Sequence, residues 1–135
     1  MADHDRHDEQ VVDASFVLGF LLPDEKQKLV DSIFQNYEKR EIKLISSPLL
    51  PFEVSNGLRS AIIRKRIVAA LGQQLLTDFL ALRIVLQPVD FSKVFALALK
   101  HNISAYDASY LWIAHDTKCP LLTLDDSLKT LSHKR

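Results

Sequence analysis

Residues 11–22 read VVDASFVLGFLL, an almost continuous apolar run with one carboxylate, Asp13, near its start. Periodicity alone does not separate a buried strand from a buried helix in such a run, but the two valines favour a strand at its beginning. A strand that is apolar on both faces belongs in a parallel sheet that is covered on both sides. An aspartate directly after it would lie at the carboxyl edge of the sheet, where open α/β sheets place their ligand sites. A turn or helix-capping role for Asp13 is the open alternative.

The length and composition indicate one globular domain. The chain has 135 residues, of which 47% are hydrophobic and 25% charged, the balance of an ordinary soluble domain. No apolar run approaches the ~18 residues of a membrane span, and the polar start does not fit a secretory signal. A single cysteine, Cys119, allows no internal disulfide and favours a cytoplasmic location. The 17 basic and 17 acidic residues cancel, so net charge gives no support to a nucleic-acid partner.

Short apolar strands alternate with helical stretches along the chain. Residues 1–10 are polar and aperiodic, and we interpret them as a flexible leader before a single domain at residues 11–135. After the first strand, further strands are predicted at residues 42–45, 83–86 and 120–124. Helices are predicted to begin at Pro23, at Leu49, around Leu71, at Asp90, at Ala105 and at Asp125. This alternation predicts an α/β fold with a parallel sheet.

Three further acids occupy positions comparable to that of Asp13. Glu53 lies in the helix after the second strand, Asp107 at a helix start, and Asp125 after the last strand. Because the carboxyl ends of parallel strands meet at one edge, we expect the four carboxylates to converge. Converging carboxylates repel one another unless a cation or shared protons offset their charge. Oxygen-only ligands suit Mg²⁺ or Mn²⁺, which engage phosphates and activate water for phosphodiester hydrolysis.

Each of these acids also has a purely structural explanation. Ser104-x-x-Asp107 fits a capping box, in which a helix-capping hydroxyl and an acid three residues later satisfy each other's backbone N–H groups. Thr123-x-x-Asp126 fits the same pattern. Glu53 is explained equally well as a solvated helix residue. A structural explanation is therefore open for each acid taken alone. Separate structural explanations for all of the acids together are weaker than one shared site.

Four motifs, in this order and spacing, resemble the PIN domain family. They are VVDAS at residues 11–15, EVSNGLR at 53–59, YDASYL at 106–111 and LLTLD at 121–125. The closest likeness is to the VapC-type toxins of bacterial and archaeal toxin–antitoxin modules, and it covers about residues 11–130. The resemblance implies a three-layer α/β/α sandwich with a central parallel sheet of four to five strands. It also implies a metal-dependent endoribonuclease that acts on RNA and is held in check by a separately encoded antitoxin.

The resemblance assigns the site residues by motif. The acidic set, which is catalytic and binds Mg²⁺ or Mn²⁺, would consist of Asp13, Glu53, Asp107 and Asp125. Supporting residues around it would be Ser15, Asn56, Thr123 and Asp126. Ser15 and Thr123 would be polar neighbours of the metal site, and Asn56 would support Glu53 from one helical turn away. Asp125 is preferred to Asp126 as the ligand because the family places its acid second after the threonine, although the two are able to exchange roles.

Two further predictions concern partners. The most basic segment of the chain contains Arg59, Arg64, Lys65 and Arg66. We interpret this group as partly an ordinary solvated face. Within it, Arg59 is the best candidate for contact with the RNA backbone because it lies closest to Glu53. The surplus of apolar positions at residues 71–82, together with Trp112, predicts a homodimer.

Two other functions compete with the ribonuclease. One is a catalytically inactive PIN-like module that serves as a protein-interaction surface, against which the intact acidic set argues. The other is a receiver-like phospho-acceptor domain, which also gathers aspartates around Mg²⁺ at strand ends. A receiver-like domain needs an acidic pair after the first strand and a lysine after the last, and neither is evident here.

Overall fold

The computed structural model describes residues 8–133, in which four strands alternate with seven α-helices. The strands are β1 (Glu9–Val12), β2 (Lys43–Ser46), β3 (Val85–Leu86) and β4 (Leu121–Leu122). The helices are α1 (Ala14–Leu21), α2 (Lys28–Glu38), α3 (Leu50–Ile63), α4 (Ala69–Ala81), α5 (Phe91–His101), α6 (Ala105–Thr117) and α7 (Asp126–Ser132). None of the helices within residues 8–133 has the length and apolar content that a membrane span requires.

All four strands form one parallel sheet in the order β3–β2–β1–β4. Val11 of the central strand β1 is aligned with Ile45 of β2 on one side and with Leu121 of β4 on the other. Val11 and Val12 are both fully buried, although successive side chains of a strand point to opposite faces. Helices therefore cover the sheet on both faces, and the predicted α/β/α sandwich with a parallel sheet is confirmed.

The apolar run at residues 11–22 divides at Asp13. β1 ends at Val12 and α1 begins at Ala14, so the prediction of a strand at the start of the run is confirmed. Asp13 has an extended backbone (φ −101°, ψ 178°) and acts as the N-cap of α1, its side chain accepting a hydrogen bond from the N–H of Phe16. The first turn of α1 therefore lies at the carboxyl edge of the central strand.

The helix predicted to begin at Pro23 begins instead at Lys28, so that predicted boundary is wrong. Pro23–Glu25 forms only a short 3₁₀ helix, and Gln27 is extended before the α-helix starts. The apolar face of α2 begins only at Val30, so the residues upstream of it have no buried stripe to hold them as an α-helix.

Two predicted strands are shorter in the structure than in the prediction. Only Val85–Leu86 of the segment at residues 83–86 is a strand, because Arg83 has a positive φ of 54°, outside the strand region. Only Leu121–Leu122 of the segment at residues 120–124 is a strand, because the hydroxyl of Thr123 turns to Asp13 and the chain then enters α7.

The sheet starts two residues before the predicted domain boundary at residue 11. Glu9 and Gln10 belong to β1 and are aligned with Lys43 and Leu44 of β2. Of the rest of the predicted leader, Asp8 forms a turn before the strand, and residues 1–7 lie outside the described residues.

The apolar residues predicted to form a dimer surface lie largely inside the protein. Leu75 and Phe79 of α4 are buried in the hydrophobic core, and Leu71 and Trp112 pack against it. Their apolar surface is therefore mostly used within one protomer, which removes the reason given for the dimer. An exposed apolar row lies on α5 instead, at Phe91, Phe95 and Leu99.

Candidate active site

Asp13 is held by hydrogen bonds to both of its carboxylate oxygens. Oδ1 accepts from the Ser15 hydroxyl at 2.7 Å and from the N–H of Phe16 at 3.0 Å, and Oδ2 accepts from the hydroxyl of Thr123. The residue is 5% exposed. The direction of the carboxylate is therefore fixed at the carboxyl end of β1, in contact with both predicted polar neighbours.

The loop after β4 is tied to the start of α1 through the same two hydroxyl groups. The Ser15 oxygen accepts a hydrogen bond from the N–H of Leu124 at 2.9 Å. The Thr123 oxygen accepts one from the N–H of Asp125 at 3.0 Å, and it lies 3.3 Å from the Ser15 oxygen. The relative positions of Asp13 and Asp125 are thus set by two short polar side chains.

Asp125 is the N-cap of α7, and its Oδ1 accepts a hydrogen bond from the N–H of Leu128 at 2.9 Å. The predicted capping box between Thr123 and Asp126 is therefore wrong. The Thr123 hydroxyl is directed to Asp13, so the helix is capped two residues later than that pattern requires. Asp126 is exposed in the first turn of α7.

Glu53 lies in the first turn of α3, where its carboxylate faces Tyr110 of α6. Oε1 of Glu53 and the hydroxyl oxygen of Tyr110 are both buried, and within residues 8–133 neither has a hydrogen bond of normal geometry. Tyr110 is nevertheless the neighbour that most lowers the pKa of Glu53. Tyr110 was not singled out from the sequence. Tyr110 lies three residues after Asp107, a spacing that makes the two side chains neighbours on a helix surface. This spacing was the signal that the sequence offered.

Asn56, which was predicted to support Glu53, is exposed on α3. In the described part of the chain it makes no hydrogen bond with the Glu53 side chain. Its supporting role therefore stays a prediction.

Asp107 lies in the first turn of α6, where the Ser104 hydroxyl accepts a hydrogen bond from its backbone N–H at 3.0 Å. Ser104 is therefore the N-cap, as predicted. The Asp107 carboxylate is not needed for that bond. It is half-buried, and its pKa is raised first by burial and then by the negative charge of Asp125.

The carboxylates act on one another electrostatically. Burial is the main cause of the raised pKa of Asp13 and Glu53, and the charge of Asp107 raises both further. The charge of Asp13 also raises the pKa of Glu53. The pKa of Tyr110 is raised by burial and by three carboxylates: Glu53, Asp13 and Asp107. The structure thus brings the acids of four separate helix starts within electrostatic reach of one another.

The two helix starts that carry Glu53 and Asp107 are joined by a buried pair of serines. The hydroxyl of Ser109 in α6 donates to the carbonyl of Tyr106 at 2.6 Å and lies 2.9 Å from the hydroxyl of Ser47. The carbonyl of Ser47 accepts from the N–H of Leu50, the first residue of α3. This pair fixes the segment that leads into α3 against α6.

A comparison with known families identifies the fold. The sequence model of the PIN domain matches residues 11–134. The chain belongs to the PIN domain family. Ribonuclease VapC3 of Pyrobaculum aerophilum is 30% identical over 122 residues, covering 87% of this chain and 90% of the relative. Ribonuclease VapC9 of Mycobacterium tuberculosis is 32% identical over 117 residues, covering 85% of this chain and 84% of the relative.

A solved structure agrees with the fold of this PIN domain. The crystal structure of PAE2754 from Pyrobaculum aerophilum matches it with a TM-score of 0.74 at 24% sequence identity. The match covers 91% of this chain and 78% of that one.

The acidic cluster of this PIN domain suits a hard divalent cation by its chemistry. Within residues 8–133, no group of three or more His, Cys, Asp or Glu side chains is arranged to hold a metal ion by itself. Mg²⁺, however, usually keeps several waters and is bound by one or two carboxylates together with substrate phosphates. The donors are all oxygen atoms, and Oε1 of Glu53 is a buried acceptor with no normal partner in the described range. The residues therefore fit Mg²⁺ or Mn²⁺ without forming a closed cage.

The basic segment of this PIN domain divides into two parts. Arg66 is paired with Asp24 at 2.8 Å and with Glu25 at 2.7 Å, so its guanidinium already has partners within the chain. Arg59 is exposed on α3, the helix that carries Glu53. Of the two, Arg59 is the better placed to meet a phosphate.

Proposed function

We propose that this PIN domain is a metal-dependent endoribonuclease that cleaves RNA phosphodiester bonds, and that it is the toxin of a type II toxin–antitoxin pair. The observation that carries the proposal is the group of carboxylates at four helix starts, of which Asp13 is buried, Glu53 and Asp107 are half-buried and Asp125 is exposed. The pKa values of Asp13, Glu53 and Asp107 are raised first by burial and further by neighbouring carboxylates, so a bound cation would favour their charged forms. The names of the relatives, which are ribonucleases of the VapC type, agree with this chemistry.

The residues that would hold Mg²⁺ or Mn²⁺ are Asp13, Glu53, Asp107 and Asp125. When bound, such an ion lowers the pKa of a coordinated water and stabilises negative charge on the phosphate. Ser15 and Thr123 would keep Asp13 oriented, because they donate to its two oxygens. Tyr110 would limit the orientations of Glu53, and Arg59 would contact the RNA backbone.

The proposed partners are an RNA substrate, a cognate antitoxin and a second copy of the chain, and the proposed location is the cytoplasm. The exposed apolar row on α5 consists of Phe91, Phe95 and Leu99. This row supports the homodimer better than the segment predicted from the sequence does. Light scattering of the purified protein tests the dimer directly. A monomer at working concentrations would contradict it.

The ribonuclease is tested by incubating purified protein with total RNA in Mg²⁺ or Mn²⁺, with EDTA as the control. We expect cleavage in the presence of either ion and none in EDTA, and we expect Asp13→Asn to be inactive. Cleavage that persists in EDTA would contradict the metal mechanism. A folded protein without activity in both ions would support the inactive interaction module instead.

The toxin role needs a separate test in cells. We expect expression of the chain alone to arrest growth, and expression of Asp13→Asn to have no such effect. Co-expression of a small protein encoded immediately upstream should relieve the arrest. Growth unaffected by an expressed, RNA-cleaving protein would contradict the toxin role and leave the ribonuclease standing.

A further inference from the structure

Two large aromatic side chains stand in solvent immediately next to two of the site acids. Phe52 directly precedes Glu53 in the first turn of α3 and is 77% exposed. Tyr106 directly precedes Asp107 in the first turn of α6 and is 58% exposed. A single exposed ring is ordinary on a protein surface. Two rings that each adjoin a carboxylate of the same site require an explanation of their own.

The two rings belong to adjoining parts of the surface. The carbonyl of Tyr106 accepts from the Ser109 hydroxyl, which lies 2.9 Å from the Ser47 hydroxyl, and Ser47 leads directly into α3. Consecutive helix residues point about 100° apart, so an acid and the residue before it face different directions. Glu53 and Asp107 are each half-buried, while the residue before each of them is exposed. The rings therefore flank the acids rather than cover them.

We propose that Phe52 and Tyr106 form a base-stacking subsite that holds unpaired RNA bases beside the acidic cluster; this inference rests on the proposed ribonuclease function. The carboxylates repel the phosphate backbone, so binding needs a contribution that does not depend on charge. Stacking of a base on an aromatic face supplies one, and it tolerates any base sequence. Bases of a duplex are already stacked on each other, so the subsite accepts single-stranded RNA.

The binding experiment uses Phe52→Ala, Tyr106→Ala and the double variant. A fluorescently labelled, mixed-sequence RNA strand of about 10 nucleotides, within the usual size of single-strand sites, is titrated by anisotropy in EDTA. We expect each alanine to weaken binding roughly 5- to 150-fold, the range measured for loss of one stacked base. The double variant should lose more than either single variant. The same RNA annealed to its complement should bind weakly to all of them.

Two controls separate stacking from general damage. Tyr106→Phe keeps the ring and should bind as wild type does. Leu29→Ala removes a similarly exposed apolar side chain (70%) from α2, a helix that carries none of the site acids, and should also leave binding unchanged. Alanine favours helices, so all of these variants should fold, which circular dichroism verifies.

The outcomes discriminate between RNA and a protein partner. Ring variants with wild-type affinity for single-stranded RNA would overturn the subsite, and a concurrent change from dimer to monomer would assign the rings to a protein interface. Equal affinity of wild type for strand and duplex would overturn it as well. The ribonuclease proposal fails on a different result, the absence of metal-dependent cleavage by wild type. In cleavage assays the ring variants should raise KM while kcat changes much less.

Discussion

Thr123 donates a hydrogen bond to Oδ2 of Asp13 and so joins the end of β4 to the start of α1 across 110 residues of chain. Its oxygen also accepts from the N–H of Asp125 at 3.0 Å. One hydroxyl therefore fixes the relative positions of two site carboxylates that lie at opposite ends of the domain sequence. Mutation of groups that orient ligating carboxylates in this way typically costs roughly 10- to 100-fold in metal affinity or activity.

Thr123→Val tests this relationship, because valine keeps the shape of threonine without its hydroxyl. We expect the free energy of unfolding to fall by roughly 1–3 kcal/mol, since Oδ2 of Asp13 would remain buried without its donor. The pKa of Asp13 should rise further, because the lost bond lowers it. Urea unfolding measures the stability, with Thr123→Ser as the control that keeps the hydroxyl. A valine variant with wild-type stability and cleavage would show that the bond has no role.

The parts of the fold that the sequence predicted well are those governed by local signals. The predicted start of α6 at Ala105 is confirmed, because Ser104 caps the helix there, and α6 ends at Thr117 before Lys118, which has a left-handed backbone. Asp90 likewise caps α5 as predicted. The contacts of Asp13 with Ser15 and Thr123 agree with the neighbours that the family resemblance implied.

The parts that the sequence did not predict depend on contacts between distant segments. The Thr123 hydroxyl is directed to Asp13, 110 residues away, rather than to the start of α7, and no local pattern contains that information. Tyr110 becomes part of the site because its side chain meets that of Glu53, which lies 57 positions earlier in the chain. The apolar positions of α4 were assigned to a dimer because the sequence does not show that Leu75 and Phe79 pack inside the protomer.

Asp125 has a structural task and a proposed chemical one, and two substitutions separate them. Asparagine is as good an N-cap as aspartate, so Asp125→Asn should keep the bond to the N–H of Leu128 and the stability of wild type. Its metal-dependent cleavage should nevertheless fall at least tenfold, because a charge is lost from the cluster. Asp125→Ala should lose that activity and also about 1 kcal/mol of stability. Cleavage and thermal unfolding are measured for wild type and both variants. Full cleavage by Asp125→Asn would show that Asp125 acts only as a helix cap.

Tyr110→Phe tests whether the buried phenol acts on Glu53. Removing a hydroxyl that has no normal hydrogen bond in the described range should change the stability of the metal-free protein by about 1 kcal/mol or less. Loss of its effect should raise the pKa of Glu53 and loosen its carboxylate. We therefore expect the Mg²⁺ concentration for half-maximal cleavage to rise roughly 10- to 100-fold. An unchanged Mg²⁺ titration would contradict this role, even if overall activity were lower.

The acidic cluster should make metal-free stability depend on pH. Asp13 and Asp107 have folded pKa values above 3.8, and Glu53 has one above 4.5. Between these ordinary values and the raised ones, the folded chain binds more protons than the unfolded chain, so stability falls as pH rises through that window. Melting in EDTA from neutral to mildly acidic pH should show Tm increasing toward acid. Saturating Mg²⁺ should flatten the profile, because the ion favours the charged carboxylates. A metal-free Tm that rises with pH in this window would contradict the cluster.

Asp107→Asn distinguishes a metal-binding carboxylate from an ordinary helix-start residue. The bond from the backbone N–H of Asp107 to Ser104 does not involve the carboxylate, so the cap survives the substitution. The variant loses one of several mutually repelling charges, and we expect its metal-free Tm to equal or exceed that of wild type. Wild type should gain stability with Mg²⁺ as RT ln(1 + [L]/Kd), about 2.7 kcal/mol at a hundredfold excess over Kd. Asp107→Asn should gain much less.

The control for this experiment is Asp116→Asn, which removes an exposed acid from the same helix, near the end opposite Asp107. It should respond to Mg²⁺ as wild type does, because a charge there is too far from the site carboxylates for effective interaction through solvent. Cleavage by Asp107→Asn should fall by orders of magnitude while Asp116→Asn stays active. If wild type, Asp107→Asn and Asp116→Asn all gain the same stability from the ion, the carboxylate of Asp107 does not bind it. The four-carboxylate site would then be wrong, since Asp107 is the acid whose charge reaches both Asp13 and Glu53.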